Sequence, residues 1–318
     1  MNGAQSLLQT LVNCEVEVCF GNPGTSEMHF VAALDSVPQM RSVLCLFEGV
    51  VTGAADGYGR VAGKPAATLL HLGPGLANGL ANLHNARRAS TPLVNIVGDH
   101  ATYHLQYDAP LTSDIVGFAR PVSSWIHESK SADGVASDAA RAVQAARSAP
   151  GGVSTLILPA DTAWNEAQRA EQKLPDLLPT PVSSNAIDAA ARLLSNGRKT
   201  ALLLRGASLY GAGLEAAGRV QAKTGARLLC DTFAPHAELG AGRVPVERIP
   251  YFAEQIVDFL KEFEQIIFVG AKPPVSFFAY PGKPSWCVPE GSHLNYLAHA
   301  HQDGAQALAA LADTLGAP

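Results

Sequence analysis

Residues able to carry protons stand where three predicted strands end, in the first quarter of the chain. Glu48 follows the apolar run 43–47, and His71 precedes Gly73-Pro74-Gly75 at the end of another run. The glycine-rich turn Gly21 to Thr25 ends the third strand. Carboxylates and imidazoles are common general acids and bases, and histidine changes charge near neutral pH. The pattern indicates that these groups meet at one crevice, because strand ends converge in a doubly wound sheet.

Glu48 has two interpretations that the residues alone leave open. Val43 to Phe47 has the length and composition of a strand covered on both faces, and Val50, Ala54 and Tyr58 then recur at helical spacing. A carboxylate at this junction lies where open α/β sheets present reactive groups. Alternatively, Glu48 only stabilises the start of a helix, because the helix dipole favours a negative charge there.

Several familiar motifs are not met. Gly63-Lys64 lacks the upstream Gly and the following Ser or Thr of a phosphate-binding P-loop. His100 and His104 are spaced like two ligands on one helical face, but no third ligand is evident. The glycines after residue 205 do not have the spacing of a dinucleotide fingerprint, and no G-x-S-x-G elbow occurs. We therefore predict no metal ligands in this chain and no serine nucleophile.

The elements that must position these groups alternate between helix and strand. An apolar helix face opens the chain, and a second helix is predicted to bury Met28, Val31, Ala32 and Leu34. Gly73-Pro74-Gly75 is predicted as a turn before a helix over 76–88. The predicted strands of this half are residues 16–20, 43–47, 66–72, 93–98 and 153–158. Strands separated by helices at this spacing predict parallel βαβ units with right-handed crossovers.

The stretch 160–184 breaks this rhythm with three prolines among polar residues, and it is a candidate linker. The alternation then restarts, with predicted strands at residues 200–204, 226–230, 265–270 and 285–288. We therefore predict an α/β protein of two doubly wound parallel-sheet domains. The first domain covers residues 1–165, the linker 166–184 and the second domain 185–318.

The composition limits the class of protein. The 318 residues are 47% hydrophobic and 16% charged with a net charge of −5, which is typical of a soluble globular protein. No basic cluster indicates nucleic acid or an anionic membrane surface. Five cysteines without C-x-x-C pairing indicate reduced thiols, and no export signal or membrane-spanning run is evident. These features predict a cytoplasmic location.

Three segments together resemble a known family. FGNPGTSEM, FEGVVTGAADGYGRVAGKPA and LHLGPGLANGLANLHNARRASTPLVNIVGD are similar, in this order, to the pyrimidine-binding domain of thiamine diphosphate-dependent enzymes. The nearest resemblance is to the acetolactate synthase large subunit and benzoylformate decarboxylase group, and it runs to about Asp161. Residues 185–318 resemble the central domain of that group more weakly.

The resemblance assigns roles to individual residues. The glutamate matching Glu48 hydrogen-bonds the aminopyrimidine nitrogen of thiamine diphosphate and promotes its imino tautomer. Cofactor contacts are also implied for Gly24, Thr25, Gly73 and Asn78, although Asn78 is equally expected to bond local backbone at a helix start. Benzoylformate decarboxylase-like members have a histidine matching His71 that faces substrate and relays protons, where acetolactate synthases have a small hydroxyl residue. The alternative is that His71 is only bonded within the crevice wall.

The resemblance also implies an activity, cofactors and partners. It implies decarboxylation with carboligation of 2-oxo acids, or alternatively a benzoylformate decarboxylase-like activity or a non-catalytic subunit. Mg²⁺ is expected through a diphosphate-binding domain whose Gly-Asp-Gly motif these residues do not contain, and FAD is not expected. A homo-oligomer, or a partner chain with that domain, is expected to complete the site. The chain is accordingly interpreted as a fragment, a split-enzyme subunit or a former enzyme.

Overall fold

Two α/β units follow one another along the chain. The computed structural model describes residues 1–318, which divide into Met1–Leu178 and Pro179–Pro318. Each unit has one all-parallel sheet with helices on both faces, as predicted. The boundary falls within residues 166–184, but Ser6 Oγ donates to the Arg169 carbonyl and Leu174 packs on the first core. The beginning of that segment is therefore part of the first unit.

The first unit is built on six strands. They are β1 (Val18–Asn22), β2 (Arg41–Leu44), β3 (Ala66–Leu70), β4 (Leu93–Asp99), β5 (Trp125–Glu128) and β6 (Val153–Pro159). Their order in the sheet is β2-β1-β3-β4-β6-β5, and every neighbouring pair is parallel. The strand order reverses between β1 and β3, and such a switch point opens a crevice at the carboxyl ends of the two strands.

Seven helices cover this sheet. They are α1 (Gly3–Asn13), α2 (Met28–Leu34), α3 (Glu48–Ala62), α4 (Leu72–Ala89), α5 (Ile115–Ala119), α6 (Val135–Arg147) and α7 (Ala160–Trp164). Helices α3 and α4 pack closely through small residues, since Thr52 Oγ1 donates to the Gly79 carbonyl at 3.0 Å. A Cβ on Gly79 would stand 2.9 Å from Thr52 Cγ2. This close packing fixes α4 against the start of α3, where Glu48 lies.

The second unit repeats the architecture with five strands. They are β7 (Thr200–Leu204), β8 (Arg227–Cys230), β9 (Glu247–Arg248), β10 (Gln265–Val269) and β11 (His293–Ala298), in the sheet order β11-β10-β7-β8-β9. Its helices are α8 (Ser184–Leu194), α9 (Gly211–Thr224), α10 (Ala253–Leu260) and α11 (Gly304–Thr314). The predicted strand over 285–288 is wrong, because Trp286 forms only an isolated bridge with Val275. None of the helices in either unit combines the length and the apolarity required to cross a bilayer.

The prediction that residues 43–47 form a strand covered on both faces is wrong. Strand β2 ends at Leu44 and is the edge of the sheet, because it pairs only with β1. The side chains of this run are largely outside the core, and Leu44 and Leu46 are 73% and 91% exposed. Apolar residues at this edge therefore form an exposed surface beside Glu48.

Two local predictions in the first unit also need correction. Helix α2 buries Phe30 and Ala33, while Met28, Val31 and Ala32 are exposed, so its predicted core face was wrong except for Leu34, which packs against the core. Gly73-Pro74-Gly75 is the first turn of α4 and not a separate turn. Proline is tolerated there because an amide in the first turn has no partner within the helix.

Candidate active site

Glu48 is oriented by the helix that packs against its own. It is the first residue of α3, and Asn78 Nδ2 on α4 donates to Glu48 Oε2 at 3.0 Å. Glu48 Oε1 faces Gly75, where a Cβ would stand 3.2 Å away. The carboxylate also lies in the first turn, where the helix dipole favours it. Both interpretations of Glu48 therefore stay open, and a contact of Glu48 with a cofactor stays a prediction.

Asn78 connects the two helices of the site. It lies in the second turn of α4, exposed to solvent, and its amide crosses to Glu48 instead of bonding the local backbone. One Glu48 oxygen is thereby engaged, while the other lies beside the small residue Gly75. A flat ring can approach a carboxylate oxygen closely where no side chain intervenes.

His71 lies between β3 and α4, at the switch point of the sheet. Its Nδ1 is 2.8 Å from Glu27 Oε2, and 25% of the His71 side chain remains exposed. Gly24 closes the other side of the ring, because a Cβ there would stand 2.3 Å from His71 Nδ1. His71 is therefore bonded within the crevice wall and also reaches its surface. Gly75 borders both groups, since its Cβ would lie 3.3 Å from His71 Cβ.

Glu27 is a residue of the site that the sequence interpretation missed. Its side chain is 1% exposed, and Oε2 accepts a hydrogen bond from the Gly24 amide at 2.8 Å and lies 2.8 Å from His71 Nδ1. Glu27 Oε1 is buried without a partner, and burial raises the pKa of the carboxyl. The available signal was its spacing, since a glutamate three residues after a turn glycine can close back on that glycine's amide.

The buried carboxyl gives a testable pH dependence. Because the pKa of Glu27 is raised above its ordinary value of 4.5, the folded state binds more protons than the unfolded state in the interval between the two values. The free energy of unfolding should therefore fall, relative to that of Glu27→Gln, as pH rises from about 4.5 through the raised pKa. Urea unfolding of both proteins across pH measures this difference.

The same pH comparison has an internal control. Burial also raises the pKa of Asp99, but this residue is present in both proteins and its contribution cancels. A difference in unfolding free energy that stays constant with pH, or grows in the opposite direction, would contradict a raised pKa for Glu27.

Thr25 and Gly73, to which the resemblance also assigns cofactor contacts, have surroundings different from those of Glu48 and His71. Thr25 is exposed at the start of a short 3₁₀ helix over Thr25–Glu27. Gly73 is buried and faces Ser113, since a Cβ there would stand 2.3 Å from Ser113 Cβ. The structure thus brings Glu48 and His71 beside Gly75, with Asn78 bonded to Glu48 and Gly24 against His71, whereas Gly73 packs on the loop that precedes α5. The cofactor contacts of all five predicted residues stay predictions.

A groove opens beside Glu48 between α3 and α4. Its volume is about 610 Å³, and its walls include Phe47 and Val50 from the α3 side and Asn78 and Ala81 from α4. None of its lining residues is basic. The groove and the adjacent carboxylate therefore suit an uncharged heteroaromatic ring better than a diphosphate, which requires cationic partners.

Comparisons with known proteins identify relatives of this chain. Residues 1–118 match the model of the thiamine pyrophosphate enzyme N-terminal TPP-binding domain. The chain is 54% identical over 314 residues to a Mycobacterium tuberculosis protein named as an acetolactate synthase large subunit, IlvX, covering 98% of this chain and 60% of that protein. Residues 1–118 therefore form an N-terminal domain of the thiamine diphosphate-dependent enzyme family. The chain spans less than two thirds of the length of this relative.

Other family members extend the comparison. The benzoylformate decarboxylase of Pseudomonas aeruginosa is 34% identical over 181 residues, which cover 57% of this chain and 33% of that enzyme. A Mycobacterium smegmatis structure described as a thiamin diphosphate-dependent enzyme superposes with a TM-score of 0.86 at 22% identity, over 100% of this chain and 63% of that one. The match in structure shows the shared fold of this thiamine diphosphate-dependent group.

Proposed function

We propose that residues 1–318 form the pyrimidine-binding and central parts of a thiamine diphosphate-dependent enzyme. The proposed reaction is decarboxylation of a 2-oxo acid with carboligation, as in the acetolactate synthases. One observation carries this proposal: Glu48 is held by Asn78 at the start of α3, with its second oxygen beside Gly75. This arrangement fits an aminopyrimidine, whose ring nitrogen can share a proton with a carboxylate.

Each residue of the site has a distinct part in the proposed mechanism. Thiamine diphosphate, when bound, supplies the nucleophilic carbon and the electron sink for the 2-oxo acid. Glu48 would share a proton with the pyrimidine nitrogen, and Asn78, which donates to Oε2, would keep the carboxylate in place. Gly75 lets the flat ring approach. His71 takes up or returns a proton at the substrate side of the crevice.

A benzoylformate decarboxylase-like activity is the second candidate. The observation that favours it is the histidine at the end of β3, which contacts a buried carboxylate. Such a histidine suits protonation of the intermediate that follows loss of CO₂ and release of an aldehyde. Product analysis with pyruvate and benzoylformate separates the candidates, because carboligation gives a 2-hydroxy-3-oxo acid from two pyruvates and decarboxylation alone gives an aldehyde.

The proposal includes a surface of this chain that binds a second polypeptide. Leu44, Leu46, Phe47 and Val50 expose apolar area around the groove, at an edge of the sheet that has no further strand. Apolar area next to a site is typical of a protein interface. We assign this surface to a diphosphate-binding domain carried by a partner chain, which would hold Mg²⁺ and the cofactor's phosphates.

Leu46→Asp should weaken that association without affecting the fold. Leu46 is 91% exposed, so the substitution removes no core contact, but it would place a charge in the proposed interface. We expect the dissociation constant of the complex to rise by at least roughly 5-fold, which corresponds to a loss of about 1 kcal/mol. Sedimentation equilibrium measures it.

Val61→Asp is the matched control for this surface. Val61 is 83% exposed near the far end of α3, away from Glu48, and its substitution should leave both association and thermal unfolding unchanged. Equal effects of the two aspartates, or none from Leu46→Asp, would reject the assigned interface.

Calorimetric titration with thiamine diphosphate and Mg²⁺ tests the proposed function. Binding is expected once a diphosphate-binding domain is supplied, and Asn78→Ala should weaken it by roughly 3- to 10-fold, which corresponds to a hydrogen bond of about 0.5 to 1.5 kcal/mol. Asn85→Ala is a suitable control, since Asn85 lies on the same helix and bonds Asn82. Absence of binding under every pairing would favour the non-catalytic alternative.

A further inference from the structure

Glu27 and His71 join two strand ends at the switch point. Glu27 is almost fully buried, whereas His71 retains 25% of its side-chain exposure. A single oxygen, Glu27 Oε2, lies 2.8 Å from both the Gly24 amide nitrogen and His71 Nδ1. The turn after β1 and the end of β3 are thus connected through one carboxylate oxygen.

The two bonds to this oxygen determine which imidazole nitrogen carries the proton. The Gly24 amide can only donate, so Glu27 Oε2 accepts there, and a carboxyl oxygen has a second lone pair for another N–H. His71 then donates from Nδ1, and Nε2 of the neutral ring is an acceptor. Oε2 can accept both bonds whether or not a proton resides on Glu27 Oε1.

The surroundings prevent Glu27 from changing partners. Glu27 Oε1 is buried without a hydrogen bond, and Gly98 lies so close that a Cβ there would stand 1.7 Å from it. Leu72, directly after His71, has a φ of +50°, which is strained for a residue with a side chain. Strain of this kind persists where the surrounding structure fixes a functional group.

We propose that Glu27 is a positioning residue that holds His71 in the Nδ1–H tautomer, so that Nε2 is the atom at which His71 takes up and returns a proton during the reaction. The role of His71 in the reaction rests on the proposed function. The tautomer of His71 is a property of the folded chain and can be measured without cofactor or substrate. The transferred proton resides on His71 Nε2 and leaves from the same atom, so Glu27 takes no proton from the substrate. The carboxylate of a Ser-His-Asp triad orients its catalytic histidine in the same way.

Ring-nitrogen NMR of the ¹⁵N-histidine-labelled chain tests the tautomer directly, above the pH at which the rings are charged. His71 should show a protonated Nδ1 and an unprotonated Nε2, and His71→Gln assigns its signals among the ten histidines. His127 provides an internal contrast, because its Nε2 lies 3.0 Å from Asp138 Oδ1 and should carry the proton instead. An Nε2–H tautomer for His71 would overturn the proposal.

Two substitutions separate positioning from a merely structural role. Glu27→Ala should release His71 into a mixture of tautomers, whereas Glu27→Gln can place its carbonyl oxygen at the Oε2 position and keep Nδ1–H. Asp138→Asn should leave the signals of His71 unchanged. In the assembled enzyme, Glu27→Ala should lower kcat roughly 10- to 100-fold with little change in KM, and Glu27→Gln should restore part of it.

The outcomes distinguish this inference from the proposed function. An unchanged His71 tautomer in folded Glu27→Ala protein would reject the role of Glu27, whatever the activity. Failure to bind thiamine diphosphate would reject the proposed function, even where the NMR signals show Nδ1–H. A Glu27→Ala chain that does not fold still leaves the wild-type tautomer as a decisive measurement.

Discussion

Glu48→Gln is expected to lower kcat for 2-oxo acid turnover by roughly 10²- to 10⁴-fold, the usual contribution of a positioned proton-transfer group. Glutamine keeps the size of the side chain and can still accept the Asn78 hydrogen bond through its carbonyl oxygen. It cannot share a proton with a ring nitrogen as a carboxylate does. The loss should therefore appear in kcat of the enzyme completed with a diphosphate-binding domain, while the free energy of unfolding falls by no more than about 1 kcal/mol because the start of α3 loses its negative charge.

Glu17→Gln is the matched control for the loss of a carboxylate. Glu17 is exposed and pairs with Lys64 at 2.7 Å, and exposed ion pairs contribute little to stability. This variant should retain full turnover. A Glu48→Gln enzyme that is as active as Glu17→Gln would show that Glu48 only stabilises the start of α3, the simpler of its two interpretations.

The sequence was informative where local patterns and tertiary packing agree. Strand β7 is predicted at its observed bounds, because an apolar run between polar turns is buried on both faces of its sheet. Glu48 and His71 were found because parallel topology brings strand ends to one edge. The alternation of helices and strands was therefore sufficient to predict two parallel sheets and to place a site on the first.

The sequence-based predictions were wrong where tertiary packing or an interface determines whether an apolar segment is buried. Residues 43–47 have the composition of a buried strand, but they lie at an edge, and apolar content cannot distinguish a core from a surface kept for a partner. The fifth strand of the second sheet was misplaced because His293–Ala298 carries polar residues that its edge position tolerates.

Glu27 illustrates a different limit of sequence reasoning. A glutamate before an apolar helix is ordinarily a solvent-exposed residue of the first turn. It is buried here because Gly24, His71 and Gly98 come from three separate segments that only the folded sheet brings together. No spacing along the chain reports such a convergence, so the buried partner of His71 emerges only from the three-dimensional arrangement.

Gly98→Ala is expected to lower the free energy of unfolding by roughly 1 to 3 kcal/mol, the usual cost of overpacking a buried site. Gly98 lies in β4, and the added Cβ would stand 1.7 Å from Glu27 Oε1 and 2.6 Å from Glu27 Cδ. Glu27 would have to move, and its bond to His71 would lengthen or break. Urea unfolding measures the stability, and the His71 ring-nitrogen signals report the displaced carboxylate.

Gly21→Ala is the matched control, because it adds the same methyl group to the adjoining region of the sheet. Gly21 lies in β1, and a Cβ there would meet Leu69 Cβ at 3.5 Å, an ordinary contact distance. Its stability and His71 signals should stay close to those of the wild type. If both alanines had the same effect, the loss would come from the strand backbone and not from Glu27. A large loss for Gly98→Ala alone, together with altered His71 signals, would show that this glycine is required because Glu27 occupies the space beside it.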